Sequence, residues 1–142
     1  MSTVFWDTNV FIYFLEGSGE AAHRTKLLRQ RMQERRDQLC SSTFSLGEVL
    51  VKPAEERNWS LADRYESVFR TQLRLIPFDT QVARHYAQIR ADRSIRAPDA
   101  IQLASAAHAG VDLFVTDDAH LSKKVIRGVG FIVSVETALS VL

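Results

Sequence analysis

The sequence predicts an α/β fold of three layers, α/β/α, with a mainly parallel central sheet of four to five strands, and two observations lead there. Short apolar runs rich in Val, Ile, Phe and Leu alternate with longer amphipathic stretches from end to end of the 142 residues. The stretches between the runs are helical in period, and successive strands joined by helices are parallel and covered on both faces.

The elements follow in order. Strands are expected at 3–6, 38–41, 74–78, 112–116 and 130–134. Helices are expected over "NVFIYFLE", "GEAAHRTKLLRQRMQERR", "SLGEVLVKPAEE", "SLADRYESVFRTQL", "DTQVARHYAQIRAD" and "APDAIQLASAAHAG". Leu27, Leu28 and Met32, like Val82, Tyr86 and Ile89, recur at helical rather than alternating spacing. Ser60 and Asp79 read as N-caps, Pro98 suits a first helical turn that Gly110 later closes, and Pro53 ends or kinks its helix. No repeat or linker divides the chain, so residues 1–142 read as a single domain.

Composition narrows the function classes. No apolar run approaches the ~20 residues that span a bilayer, and no basic, apolar and small-residue leader opens the chain, so the expected setting is cytoplasmic with no membrane partner. A lone Cys40 excludes an internal disulfide and a cysteine zinc cluster, and reads as a small buried hydrophobe. The net charge of +1 is not that of a generally basic nucleic-acid binder. The positive charge is clustered, however: Arg24 to Arg36, then Arg90, Arg93 and Arg96, then Lys123, Lys124 and Arg127. Each cluster is either a solvated helix face or part of a rim that holds a phosphate backbone.

Reactive groups of parallel α/β sheets gather beyond the carboxyl ends of the strands. Asp7 directly follows the first strand, Asp117 and Asp118 follow the fourth, Glu48 lies in the helix after the second, and Asp99 lies in the first turn opened by Pro98. Each acid has an ordinary alternative use: Asp7, Asp117 or Asp118 as a cap, Asp99 as a complement to the helix dipole, Glu48 as a solvent-facing side chain. Together they would repel one another, and must take up protons or bind cations. Oxygen donors without Cys or paired His favour Mg²⁺ or Mn²⁺ over zinc. His23, His85, His108 and His120 are scattered and form no zinc-hydrolase pair; there is no nucleophile elbow and no P-loop. Divalent ions on carboxylates activate water and neutralise phosphate, which makes a phosphodiester the natural substrate.

Taken in order, "WDTNVFIYFLE", "SLGEVL", "PDAIQLASA" and "FVTDDAHL" resemble the acidic motifs of the PIN domain, and the size resembles the VapC toxins of bacterial toxin–antitoxin pairs. The resemblance covers nearly the whole chain. It implies the PIN-like three-layer fold and a Mg²⁺- or Mn²⁺-dependent endoribonuclease acting on RNA. It also implies Asp7 and Asp99 as the main metal ligands, Asp118 completing the site, and Glu48 reaching it directly or through water. Asn9 and Thr116 resemble the polar residues that accompany these acids. Asp117 occupies the usually variable place before Asp118, and either could supply the fourth carboxylate. A homodimer and a cognate VapB-type antitoxin, its C-terminal segment entering the site, are implied as partners. The alternatives are a PIN nuclease that processes RNA outside toxin–antitoxin systems, and a catalytically silent PIN-like module that binds RNA or protein; all four acids being present argues against the latter.

Overall fold

The computed structural model describes residues 1–142. Five strands, β1 (Thr3–Trp6), β2 (Gln38–Ser42), β3 (Arg74–Ile76), β4 (Leu113–Val115) and β5 (Phe131–Val133), form one sheet in the order β3-β2-β1-β4-β5, with every pairing parallel. The helices are α1 (Thr8–Glu16), α2 (Glu20–Arg35), α3 (Thr43–Glu55), α4 (Trp59–Gln72), α5 (Thr80–Ile89), α6 (Ala97–Ala109) and α7 (Val135–Val141). A three-residue 3-10 turn, Leu121–Lys123, lies between β4 and β5. The expected three layers are present, and the sheet is wholly parallel.

Alternation along β1 explains the layers. Phe5 points to one face, where it stacks on Phe114 of β4 at 5.1 Å between centroids, among Val82 and Ile89 of α5 and Leu103 and Ala104 of α6. Val4 and Trp6 point to the other, packing with Phe11 of α1, Leu28 and Met32 of α2, Phe69 of α4 and Ala138 of α7. Helix α6 buries a nearly continuous run from Ala100 to Ala107, interrupted only by the partly exposed Ile101. Its alanines let it lie close to both the sheet and α5. Cys40 is buried as expected, and burial raises its thiol to about 11, which keeps it protonated and inert.

Local chemistry sets most of the boundaries. Asp79 caps α5 through the amide of Val82, and Gly110 closes α6 in the left-handed conformation at φ 67°. Ser60 is not a cap; Asn58, two residues earlier, accepts from the amide of Leu61, so α4 begins at Trp59. Pro53 does not end α3 at once. It lies in the last turn, where it removes one i→i−4 hydrogen bond, and the helix runs on only two residues further, to Glu55. Helix α7 was not expected from sequence; Ser134 caps it through the amide of Thr137.

At the amino ends of the strands, two acids serve the backbone. Asp37 accepts from the amide of Ser2 at 2.7 Å and from Arg35 at 2.9 Å, and Asp112 accepts from the amide of Thr3 at 2.8 Å. The α2 arginines act nearby: Arg31 and Arg35 donate to the Leu139 and Leu142 carbonyls of the C-terminal segment, and Arg29 to Gln72. That cluster is structural rather than a rim to the opposite edge.

Two glycines give a contrasting test. A Cβ at Gly130 would stand 2.3 Å from the Asp112 carbonyl, whereas one at Gly47, inside α3, would meet nothing within 4 Å. Gly130→Ala is expected to lower stability by on the order of 2 kcal/mol through overpacking, and Gly47→Ala to raise it by about 0.5–1 kcal/mol through helix propensity. Urea midpoints of the two variants check both signs.

Candidate active site

The strand order reverses at β1: the chain moves outward through β2 and β3, then returns to β1's other side with β4 and β5. Loops leaving β1 and β4 therefore diverge and open a crevice at their carboxyl ends. The register Trp6↔Val115 puts the next residues, Asp7 and Thr116, side by side, and the Asp7 amide donates to Val115 at 2.9 Å.

Asp7 is only 6% exposed. One carboxylate oxygen accepts from the Thr8 amide at 2.9 Å, capping α1, and the other accepts from the Thr116 hydroxyl at 2.8 Å. Burial raises its pKa to about 6; these two hydrogen bonds oppose the rise, and the charges of Asp99 and Glu48 add to it. The cap expected of Asp7 and the acidic neighbourhood expected of it are thus both present in one side chain.

Each neighbouring acid has a donor of its own. Glu48 accepts from the Thr8 hydroxyl. Asp99, mostly buried at the amino end of α6, faces the exposed Arg96 at 3.4 Å. Asp118 accepts from the amides of His120 at 2.9 Å and Leu121 at 3.4 Å, capping the 3-10 turn, while its own amide donates to Thr116 at 3.1 Å. Asp117 points elsewhere: it accepts from the Tyr13 phenol at 2.8 Å, and the hydrogen bond and the adjacent charge together raise the Tyr13 pKa. Asn9 accepts from the Asp117 amide at 3.2 Å and so ties α1 to the loop after β4.

The structure therefore brings Asp99 and Glu48 into electrostatic range of Asp7 with Thr116 in direct contact with it, links the Asp118 backbone to Asp7 through Thr116, and turns the Asp117 carboxylate to Tyr13. The acids do not close into a ready-made cage; no three His, Cys, Asp or Glu side chains form a metal-ligand group. Each side chain instead faces a donor of its own. Such an arrangement fits Mg²⁺, which keeps several waters and is held by one or two carboxylates plus substrate phosphate rather than by an all-protein cage. His85 and His108 lie 6.0 Å apart at the edge between α5 and α6.

Behind the acids is a buried polar cluster that the motifs do not reveal. Gln102 of α6, 2% exposed, donates to the Thr8 hydroxyl at 2.9 Å and to the Ser45 hydroxyl at 2.6 Å, and accepts from Ser42 at 2.5 Å. Its signal in sequence is a glutamine within the apolar stretch "AIQLASAA", since a polar side chain buried there must be paired.

Residues 4–126 match the PIN domain family, and the chain belongs to that family. Among curated proteins no sequence matches significantly. Solved structures of similar fold include VapBC2 from Rickettsia felis bound to a promoter DNA fragment, with 14% identity and a TM-score of 0.69 over 93% of this chain and 98% of the other. DNA-bound VapBC from Salmonella typhimurium is 24% identical, with a TM-score of 0.67 over 95% and 99% of the two chains. FitAcB from Neisseria gonorrhoeae is 25% identical, with a TM-score of 0.66 over 81% and 87%.

The raised pKa of Asp7 has a definite sign in stability. Below about 4, its unfolded value, folding gains the full benefit of the protonated side chain, and that benefit is lost as pH rises through about 6. The metal-free protein is expected to lose on the order of 3 kcal/mol over this window from Asp7, at 1.36 kcal/mol per pKa unit. Asp7→Asn should remove that part of the slope, as read from urea midpoints at pH 4 and pH 7 in EDTA.

Proposed function

We propose that the chain is a divalent-metal-dependent endoribonuclease and the toxin of a VapBC-type toxin–antitoxin pair. The observation that carries the reading is Asp7, a carboxylate buried in the β1–β4 crevice beside two other acids, where its ionised form is disfavoured unless a cation joins it. Asp7 and Asp99 would hold Mg²⁺ or Mn²⁺, with Glu48 and Asp118 completing the site. When bound, the cation supplies charge neutralisation for a phosphodiester and an activated water for in-line attack. Thr116 fixes the Asp7 carboxylate from one side and the Thr8 amide from the other, so its orientation precedes binding.

The basic segments divide by what they touch. Arg90 donates to the Ile95 carbonyl at 2.6 Å, and Lys124 bridges Asp92 and Ser94 at 2.9 and 2.7 Å; both stitch the approach to α6. Arg93 and Arg96 stand exposed just before Asp99, Arg96 facing it at 3.4 Å, and would meet the RNA backbone. Partners follow from the same reading. A VapB-type antitoxin would present an Arg, whose planar fork matches clustered carboxylates, and anchor on the half-exposed Ile12 and Leu27 of α1 and α2. A second copy of the chain would cover the apolar groove of about 490 Å³ between Phe44, Val51, Phe78 and Ile101.

Purified protein should cleave RNA with Mg²⁺ or Mn²⁺ and stop in EDTA; undiminished cleavage in EDTA without added divalent ion refutes the mechanism. Asp99→Asn should abolish cleavage without lowering the thermal midpoint measured in EDTA. Arg93→Glu with Arg96→Glu should weaken RNA binding and flatten its dependence on salt. Expression of the chain alone should arrest growth, and co-expression of its antitoxin should rescue it; normal growth with all four acids intact removes the toxin assignment while leaving the nuclease to be judged on RNA.

A further inference from the structure

The buried cluster behind the acids has a direction. The Thr8 hydroxyl carries one proton and lies within reach of the Glu48 carboxylate and, at 3.3 Å, of the Ser45 hydroxyl. Gln102 supplies donors to both hydroxyls. Its amide donates one proton to the Thr8 oxygen and the other to the Ser45 oxygen. Each hydroxyl oxygen thereby accepts from Gln102, and of the two acceptors within reach of the Thr8 proton the Glu48 carboxylate is the nearer. The amide orientation is fixed by Ser42, whose oxygen accepts from the Ser45 amide at 3.0 Å and whose proton goes to the Gln102 carbonyl. Were the amide turned over, its oxygen would face Thr8 and compete with Glu48 for the only proton there.

We propose that Gln102 is a positioning residue which, by donating to Thr8, aims the Thr8 hydroxyl at Glu48 and holds that carboxylate at the cation site; the inference rests on the nuclease reading above. It joins four elements at a point that each acid touches only indirectly: α6, which carries Asp99; α3, which carries Glu48; the end of β2; and the start of α1 after Asp7. Glu48 is the one acid of the set that sits well inside a helix rather than at the start of one, and its side chain is long and rotatable. The Thr8 hydroxyl, itself accepting from Gln102, is the donor that holds it. Mutating the hydrogen-bonded partners of metal-ligating carboxylates typically costs about 10- to 100-fold in metal affinity.

The test is Mn²⁺ binding to the full-length protein, read by electron paramagnetic resonance of the free ion, with the thermal midpoint in EDTA as the control for folding. Thr8→Val, which keeps the backbone amide that caps Asp7, and Gln102→Leu should each weaken Mn²⁺ binding by on the order of 10-fold or more. The double variant should bind no worse than either single one, because both interrupt the same chain of hydrogen bonds. Thr8→Ser should retain wild-type binding. Gln102→Glu, isosteric but an acceptor where donors are needed, should reproduce the loss, and so keeps the proposal open to test if Gln102→Leu fails to fold. In a Glu48→Gln background, Gln102→Leu should have no further effect. Wild-type Mn²⁺ binding by Thr8→Val, or a Gln102→Leu effect that adds in full to that of Glu48→Gln, overturns the positioning role. Unchanged binding and cleavage in Glu48→Gln would instead overturn the placing of Glu48 in the site.

Discussion

Burial of the Asp7 carboxylate in the crevice between β1 and β4 is the constraint around which the rest is arranged. A buried charge is costly unless hydrogen-bonded and compensated. Asp7 has two hydrogen bonds, one from its own helix and one from Thr116, and no cationic side chain within bonding distance. The remaining influences, burial and the charges of Asp99 and Glu48, act against ionisation. The opposite end of the sheet shows what full compensation looks like. There the buried Asp37 has both a backbone amide and Arg35. One edge of the sheet thus pairs a buried acid with a cation, while at the other Asp7 has hydrogen bonds alone.

That imbalance is maintained by the packing behind it. The stack of Phe5 on Phe114 and the close fit of α6 against the sheet hold β1 and β4 in a register that makes Asp7 and Thr116 neighbours. On the other face, Trp6 lies against Phe11 and Phe14 of the helix that Asp7 caps. Any slip of one residue in β1 would exchange its two faces and carry Asp7 away from Thr116.

Much of this was legible in the residues themselves. The strands and six of the seven helices follow from apolar runs and helical spacing, and the position of each acid relative to a strand end placed Asp7, Glu48, Asp99 and the Asp117–Asp118 pair near one edge. What the sequence left open depended on three-dimensional neighbours. Asp117 and Asp118 are chemically identical, and only the position of Tyr13 on α1 and the amides of the 3-10 turn separate them. Helix α4 starts at Trp59 because Asn58 reaches the amide of Leu61, a competition with Ser60 that propensity alone does not decide. Helix α7 is too short for its period to be distinctive, and it is held by packing against α2. The links among Gln102, Thr8 and Ser45 cross 94 and 57 positions of sequence, beyond any local pattern.

The wide separation of Asp7 from Thr116 carries a consequence for how the molecule is made. They meet across 109 positions, and β1 lies between a strand made early and one made late. A chain emerging from the ribosome can form α1, α2, β2 and α3 while the β4 side of β1 is still open, so nothing yet holds the far oxygen of Asp7. Pairings of such long range form late and slowly, since loop closure must precede the contacts that stabilise it. Glu48 can meet Thr8 once α3 is made, whereas Thr116 reaches Asp7 only after β4. The order of the strands thus leaves the last fixing of the Asp7 carboxylate to the later half of the chain.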